Sequence, residues 1–433
     1  MKGNSFVPFM KRKGDGSTLN LDFTGGSLDS RVVLTRSAAT ATYINSSGYV
    51  ATAAANEARF DYDPTTLAAK GLLIEGSATN YLYGSQSFAT SGLTVSWSDG
   101  AILSRTSGNT DPTNGTTAIG FNETLALDYH RISTNYSLTG VVTISVFVKQ
   151  INAARRFAIN AQNYAGVSAI FDLTSGLQVG ATGGSASNKA ATATAYPNGW
   201  FRFSVTGTYV GAANVYFSIC SSTSTDTTGA NFTGTSNGGV YIWGAMLESG
   251  TYPSSYIPTT IAQVTRNPDL ALMTSTNFSS WFTGGTTGTF FVDWYGGVRG
   301  IALTVRSVIS TSDVPTKHLH LQQVSAAGAL KVADSLAAHS VSTANSITSG
   351  ARTKGAFNFD GATSTVNLCL NGGTVATSSA IAFSVAPTWL VLGATSTDGT
   401  SLTDVNTVLN GSIRQIKYYP TALTSAQLIA MST

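Results

Sequence analysis

The sequence predicts an all-β protein built from β-sandwiches, and three observations predict it. Charged residues make up 10% of the 433 positions, against about 25% in an ordinary soluble domain. That shortage rules out long solvated Lys/Glu helices. Aromatic residues nevertheless reach 10%, and apolar periodicity persists, so the composition is not that of a disordered chain. Finally, segments alternating apolar and polar residues recur between Gly, Asn, Asp and Ser turns, with no helical period between them.

Residues 1–20 are polar and Gly-rich and read as an arm. "LNLDFTG", "RVVLTRSAATATYINSSGYVATAAA" and "GLLIEGS" supply short strands within 21–80, with "INSSGY" as a hairpin turn. "GVVTISVFVKQI" (140–151) sets Val142, Ile144, Val146 and Val148 on one face. "RRFAINAQNYAGVSAIFDLTSG", "NGWFRFSVTGTYV" (198–210), "NVYFSICSS" (214–222) and "GGVYIWGAMLESG" (238–250) continue the alternation. This spacing of strands indicates a sandwich. "TYPSSYIPTTIAQVTRNPD" carries three prolines and reads as an extended connector, hence a domain boundary. Beyond it, "GTFFVDWYGG", "IALTVRSVIS", "HLHLQQVS", "STVNLCLNGGTVATS", "TWLVLGATS" and "GSIRQIKYYP" repeat the style with different strands. Only "TALTSAQLIAMS" reads as helical, with Leu423, Leu428 and Ile429 as packing positions. No short-period repeat occurs, which argues against a stacked β-helix.

The net charge of +3 is too small for a nucleic-acid-binding surface. The basic run Lys11–Lys13 is expected to be a solvated or docking arm. Cys220 and Cys369 each sit in an apolar alternating segment and read as buried free thiols. No zinc or disulfide pattern is present, and no cofactor is expected. "MKGNSFVPFMKRKG" lacks the features of a secretory signal, and no stretch approaches a membrane span. Synthesis in a cytosol and no membrane insertion are the expectations.

Charge is concentrated in one place. Glu57, Arg59, Asp61 and Asp63 occupy every second position, which in an extended strand puts all four on one face. Asp61 and Asp63 would then lie roughly 7 Å apart, within the range of a glycosidase pair. Arg59 beside them should hold both ionised, which deprives the pair of a general acid. The preferred reading is therefore architectural: Arg59 pairs with Asp61 or Asp63 and locks the N-terminal segment onto a sandwich or a neighbouring subunit.

The stretch "VVLTRSAATATYINSSGYVATAAANEARFDYDPTTLAAKGLLIEGSATNYLYGS" resembles a segment of bacteriophage tail-fibre, head-fibre and gene-transfer-agent head-spike proteins. Thr35–Arg36, Arg59–Pro64 and Gly71–Glu75 carry the likeness. In such proteins the segment precedes a jelly roll resembling a carbohydrate-binding module, and "GWFRFSV" and "YIWGAMLESGTYPSSYIPTT" (241–260) match the strands that end it. "GSIRQIKYYPTALTSAQLIAMS" is similar to the end of a concanavalin or laminin-G jelly roll. The resemblance implies two jelly-roll β-sandwich domains, 81–262 and 263–433, after an N-terminal virion-attachment segment, 1–80. It implies a virion appendage that binds host cell-surface polysaccharide for adsorption. Its expected partners are other virion proteins, through the N-terminal segment, and copies of itself, with a trimer as the default. The alternatives are a purely structural capsid-decorating or tail-adaptor protein and, less favoured, a polysaccharide depolymerase; no enzyme activity is expected.

Sugar-binding modules stack pyranose rings on exposed aromatics. Trp97, in "TVSWSDG", lies beside turn residues and is the expected exposed platform. Tyr241 and Trp243 share a strand face and form the second. Trp200 reads as core or edge cover, and Trp389, in an apolar run, reads as core. His318 and His320 share a strand face near Asp313, but without a third placed ligand they are not assigned to a metal.

Overall fold

The computed structural model describes residues 15–433 apart from 38–40, 93–96, 100–102, 163–165, 284, 297–299, 307–317, 325–328, 334–339, 349, 380–387 and 395–407. The chain forms two compact units, residues 34–269 and residues 1–33 with 270–433. Both are all-β and built on β-sandwich sheets.

The unit of residues 34–269 holds two six-stranded antiparallel sheets. The first runs Ala190–Tyr196, Trp200–Tyr209, Gly140–Asn152, Gly238–Ser249, Ala118–Glu123 and Leu103–Asn109. The second runs Gln178–Gly183, Val167–Asp172, Arg155–Gln162, Ala212–Ser221, His130–Ser137 and Ser98–Asp99. The chain passes between the sheets repeatedly, as a jelly-roll-type sandwich requires. Val142, Ile144, Val146 and Val148 face inward as their spacing predicts, and pack in one core with Phe203 of the neighbouring strand and with Phe157, Phe171 and Phe217 from the facing sheet.

The outer face of the first sheet is not left to solvent. Phe147, Trp200, Trp243 and Met246 form a second apolar cluster with Val50, Tyr256 and Ile257. The cover comes from short strand pairs flanking the sandwich in sequence, Ala41–Ile44 with Val50–Ala53 and Ala78–Asn80 with Val264–Arg266, and from the connector at Tyr256 and Ile257. So the segment expected as a separate attachment region, 1–80, is divided. Residues 34–80 fall in the unit of the sandwich, where Ile44, Val50 and Ala78 help cover its outer face, and residues before 34 go to the other unit. Gly244 marks where this cover meets the sheet. Its φ of +63° sits in a bulge between Trp243 and Met246 opposite Ser145–Phe147, a position that glycine fills without strain.

In the other unit, one sheet runs Ala376–Ser378, Thr365–Leu370, Arg352–Asp360, Thr287–Tyr295 and Gly411–Tyr419, and Leu19–Asp22 pairs antiparallel with the last of these. The facing strands are Leu270–Thr274, Trp389–Leu392, Gly300–Arg306, His318–Val324, Ala329–Ala333 and Ser340–Ser346. The helix Ser425–Ser432 starts with a capping box between Thr424 and Gln427. Leu428 is buried against Phe291, Ala356 and Cys369, Leu423 packs at the margin, and Ile429 is exposed. Cys220 and Cys369 are buried free thiols. Among the described residues no helix is long and apolar enough to cross a membrane.

Candidate functional site

The charge-rich stretch does not form a one-face ladder. Its strand, Phe60–Tyr62, is three residues long, and the four side chains part company. The Glu57 carboxylate accepts from the Ala54 N–H. Asp63 closes a turn, accepting from the N–H groups of Thr65 and Thr66. Arg59 is fully buried, and its partners are neither Asp61 nor Asp63. Nη1 donates to Glu75 at 2.6 Å and Nη2 to Asp269 at 2.5 Å. The expected pairing is thus replaced by one to carboxylates 16 and 210 residues away.

Those contacts belong to a larger ionic lattice. Asp269 also accepts from Arg36 Nη1 at 2.8 Å and from the Glu75 N–H at 2.8 Å. Glu75 also accepts from the Ser255 N–H and hydroxyl, and Arg266 lies 3.0 Å from it. Burial alone would raise the Glu75 pKa. Arg266, Arg59 and Ser255 outweigh it and bring the carboxyl down to about 2. Buried charges need such mutual satisfaction, because an uncompensated one costs several kcal/mol.

Beside the lattice lies a cleft of about 240 Å³, lined by the strands Ala41–Ile44 and Ala69–Ile74, by Thr192, Thr194 and Tyr196, and by the connector 253–256. Asp61, Lys70, Glu75 and Arg202 bring charge to it; Tyr43, Tyr196 and Tyr256 bring aromatic surface. Asp61 is half-buried and accepts from the Ile44 N–H at 2.8 Å. Burial pushes its pKa up to about 6, against the pull of Lys70 and that N–H. Arg202 is 8% exposed. Nη1 donates to the Ser254 carbonyl at 2.7 Å, Nη2 to the Ser145 hydroxyl at 2.9 Å, and the guanidinium lies 5.3 Å from the Phe147 ring centre. Behind Ser254, which donates to it twice, Glu248 is buried, and burial pushes it up to about 7.

The two expected sugar platforms are not exposed. Trp97 is 1% exposed, stacked on Phe217 at 5.4 Å and set edge-on to Phe88, and its Nε1 donates to the Tyr83 carbonyl. The residue directly precedes the strand Ser98–Asp99, and its ring belongs to the core between the sheets. Trp243 is likewise 1% exposed, beneath the layer that covers the outer sheet face, and Tyr241 is partly buried at its edge. As in the sequence reading, Trp200 is buried, packed in that same cluster. Among the described residues, Tyr129 is an aromatic side chain that is exposed. The Arg131 guanidinium lies 4.4 Å from its ring centre and 4.5 Å from that of Tyr216. His318 and His320 lie in a described strand, whereas Asp313 and Lys11–Lys13 fall outside the described residues. Among the described residues no group of three metal-binding side chains converges.

Lys70, Glu75, Arg202 and Tyr256 were not singled out from the sequence. The signal for them was present: Arg36, Arg59, Asp61, Glu75, Arg202, Glu248 and Ser254–Tyr256 all fall within the stretches that carry the phage-fibre resemblance.

No family model matches the chain, and neither does any curated protein. Several solved structures are similar in part. The carbohydrate-binding module CBM40 of the Ruminococcus gnavus IT-sialidase, bound to α2,3-sialyllactose, aligns at 20% identity over 34% of this chain and 82% of that one, with a TM-score of 0.28. Domains LG4–5 of the mouse laminin α1 chain align at 8% identity over 70% of this chain and 92% of that one, with a TM-score of 0.23. The CBM22-1–CBM22-2 tandem of Paenibacillus barcinonensis Xyn10C aligns at 9% identity over 81% and 98%, also with a TM-score of 0.23. Scores this low carry no conclusion about ligand or activity.

Proposed function

We propose that the chain is a bacteriophage virion appendage protein, of the tail- or head-fibre or spike type, which binds host cell-surface polysaccharide for adsorption. The observation that supports this reading best is convergence. The stretches that resemble phage-fibre proteins are scattered over more than 200 residues, and their polar side chains meet around one cleft. That cleft mixes aromatic faces, hydroxyls and a few charges, the lining that suits a sugar. At about 240 Å³ it suits a single sugar unit rather than a long chain. Binding at one such site is expected near the millimolar end, about −4 kcal/mol. A homo-oligomer, by default a trimer, held on the particle through the N-terminal residues, would raise avidity by ~10²–10⁴.

The reading contains no catalytic step. Asp61 and Glu75 are the carboxylates lining the cleft. Asp61 has the raised pKa of a general acid, but Glu75 is a poor base or nucleophile, because two arginines and Ser255 occupy its oxygens. A structural role in capsid decoration or as a tail adaptor is the second reading, favoured by the burial of Arg36 and Arg59 in the lattice. One experiment separates the three. Purified protein is incubated with host capsule, and both retention and new reducing ends are measured. Retention without reducing ends is expected. Reducing ends would make the protein a depolymerase, and loss of both signals would leave the structural role.

A further inference from the structure

We propose that the cleft selects a carboxylate-bearing sugar, such as a uronic acid, with Arg202 as its anchor and Lys70 as a second cation. This rests on the glycan-binding reading above and names the class of glycan. The starting point is an imbalance at Arg202. Its guanidinium is more than nine-tenths buried, yet every hydrogen-bond partner it has is neutral: the Ser254 carbonyl, the Ser145 hydroxyl and, at 3.7 Å, the Met246 sulfur. Its Nε has no partner, as is also true of Arg36, Arg59 and Arg266, and the carboxylate that acts on it, Glu248, does so at longer range than a direct ion pair. The contrast with the adjoining lattice is sharp, since Arg36, Arg59 and Arg266 each pair directly with a carboxylate. A buried cation without a directly paired counter-ion is costly, and a guanidinium fork matches a carboxylate better than it matches a neutral hydroxyl. Lys70 lines the same cleft, half-buried, with a loose contact of 3.9 Å to Asp63 and an electrostatic pull on Asp61.

The groups facing the bound carboxylate are Arg202, Lys70, Asp61, Glu75 and the tyrosines 43, 196 and 256. The Glu75 charge is neutralised by Arg59 and Arg266. The tyrosines stay neutral, since burial raises all three. Asp61 is the opposing group. Below about pH 6 it is protonated and does not repel an anion; above that it does. Glu248, behind Ser254, gains charge on passing about pH 7 and acts in the same direction. A sugar carboxylate stays ionised down to about pH 4, so binding should strengthen as pH falls from about 7.5 to about 5.

The full-length protein is titrated with D-glucuronate and with D-glucose by ligand-observed NMR, at about pH 5 and about pH 7.5. Glucuronate should bind roughly tenfold or more tighter than glucose, and tighter at the lower pH. Lys70→Gln should weaken glucuronate several-fold and glucose by distinctly less. Asp61→Asn should tighten glucuronate at the higher pH and flatten the pH dependence, a gain that damaged folding cannot mimic. Arg202→Gln should abolish the preference, with thermal melting used to confirm that the variant is folded. Equal affinity for the two sugars, or indifference of glucuronate binding to both Lys70→Gln and Asp61→Asn, overturns the inference. The capsule-retention assay reads the glycan-binding proposal separately. Retention together with indifferent cleft variants removes the acidic-sugar inference alone, and loss of retention removes both.

Discussion

Arg59 shows how a charge-poor chain uses its few charges. Its guanidinium bridges Glu75 and Asp269, and Asp269 passes the contact on to Arg36. Removing one member leaves the others buried and uncompensated, at a cost of roughly 3–5 kcal/mol. Arg59→Ala and Asp269→Ala should each lower the urea midpoint by a large and similar amount. Asp63→Asn should change it little, because Asp63 only closes a turn. If Arg59→Ala melts like the parent, the lattice is not a stabilising element. Trp97 makes the same point for an apolar residue. Inside the sandwich, its loss should cost about 3–5 kcal/mol through the cavity left behind. Trp97→Ala is therefore expected to fail in a stability assay; a stable variant with weaker glycan binding would instead restore an exposed role for this ring.

Elements were more legible than their assignments. The inward alternation of Val142 to Val148 could be read directly, because a strand's period of two does not depend on what covers it. What the outward residues meet does depend on that, and alternation is silent about a third layer. Tyr241 and Trp243 read as a candidate surface for that reason, yet Ile44, Val50, Ala78 and the connector residues Tyr256 and Ile257 pack in one cluster with them. The partners of Arg59 were illegible for a related reason: sequence proximity favours Asp61, whereas Asp269 comes close only after the chain has returned through the whole sandwich. The N-terminal arm illustrates the limit once more. Residues 1–20 read as a detachable arm, but the Asp15 carboxylate accepts from Lys417 at 2.7 Å, and the strand Leu19–Asp22 pairs with residues 415–418. Leu19, Leu21 and Phe23 are each 1% exposed, and burial of such side chains stabilises by about 1.5–3 kcal/mol each. Deleting residues 1–14 should therefore preserve folding and test virion docking alone. Deleting 1–23 should destabilise the C-terminal unit, seen as loss of its cooperative melting. Equal melting of the two truncations would show that the strand is dispensable.

At the scale of the whole molecule, the carboxyl groups oppose one another across the pH range, and their sum fixes where the protein is most stable. Glu75 is lowered from 4.5 to about 2 in the folded state. Its contribution is present above pH 4.5 and is lost as pH falls from there toward 2. Glu248 is raised from 4.5 to about 7, and Asp61 from 3.8 to about 6. The folded state keeps protons that the unfolded chain releases. Their contributions are complete below the unfolded values and are lost as pH rises through 6 and 7. Stability should therefore peak near the unfolded carboxyl range and decline toward neutrality, rather than hold a plateau from about pH 5 to 8. Glu248 dominates the decline because it is almost fully buried, and its shift corresponds to at most about 3 kcal/mol. Glu248→Gln keeps a side chain that can accept from the Ser254 N–H and cannot ionise. The variant should match the parent near pH 4.5, exceed it in urea midpoint above pH 7, and show a shallower slope between them. A parent flat from pH 4.5 to 7.5, with Glu248→Gln tracking it throughout, would mean that Arg202 and Arg266 hold Glu248 ionised. The guanidinium proposed to anchor a sugar carboxylate would then already have its counter-ion within the fold.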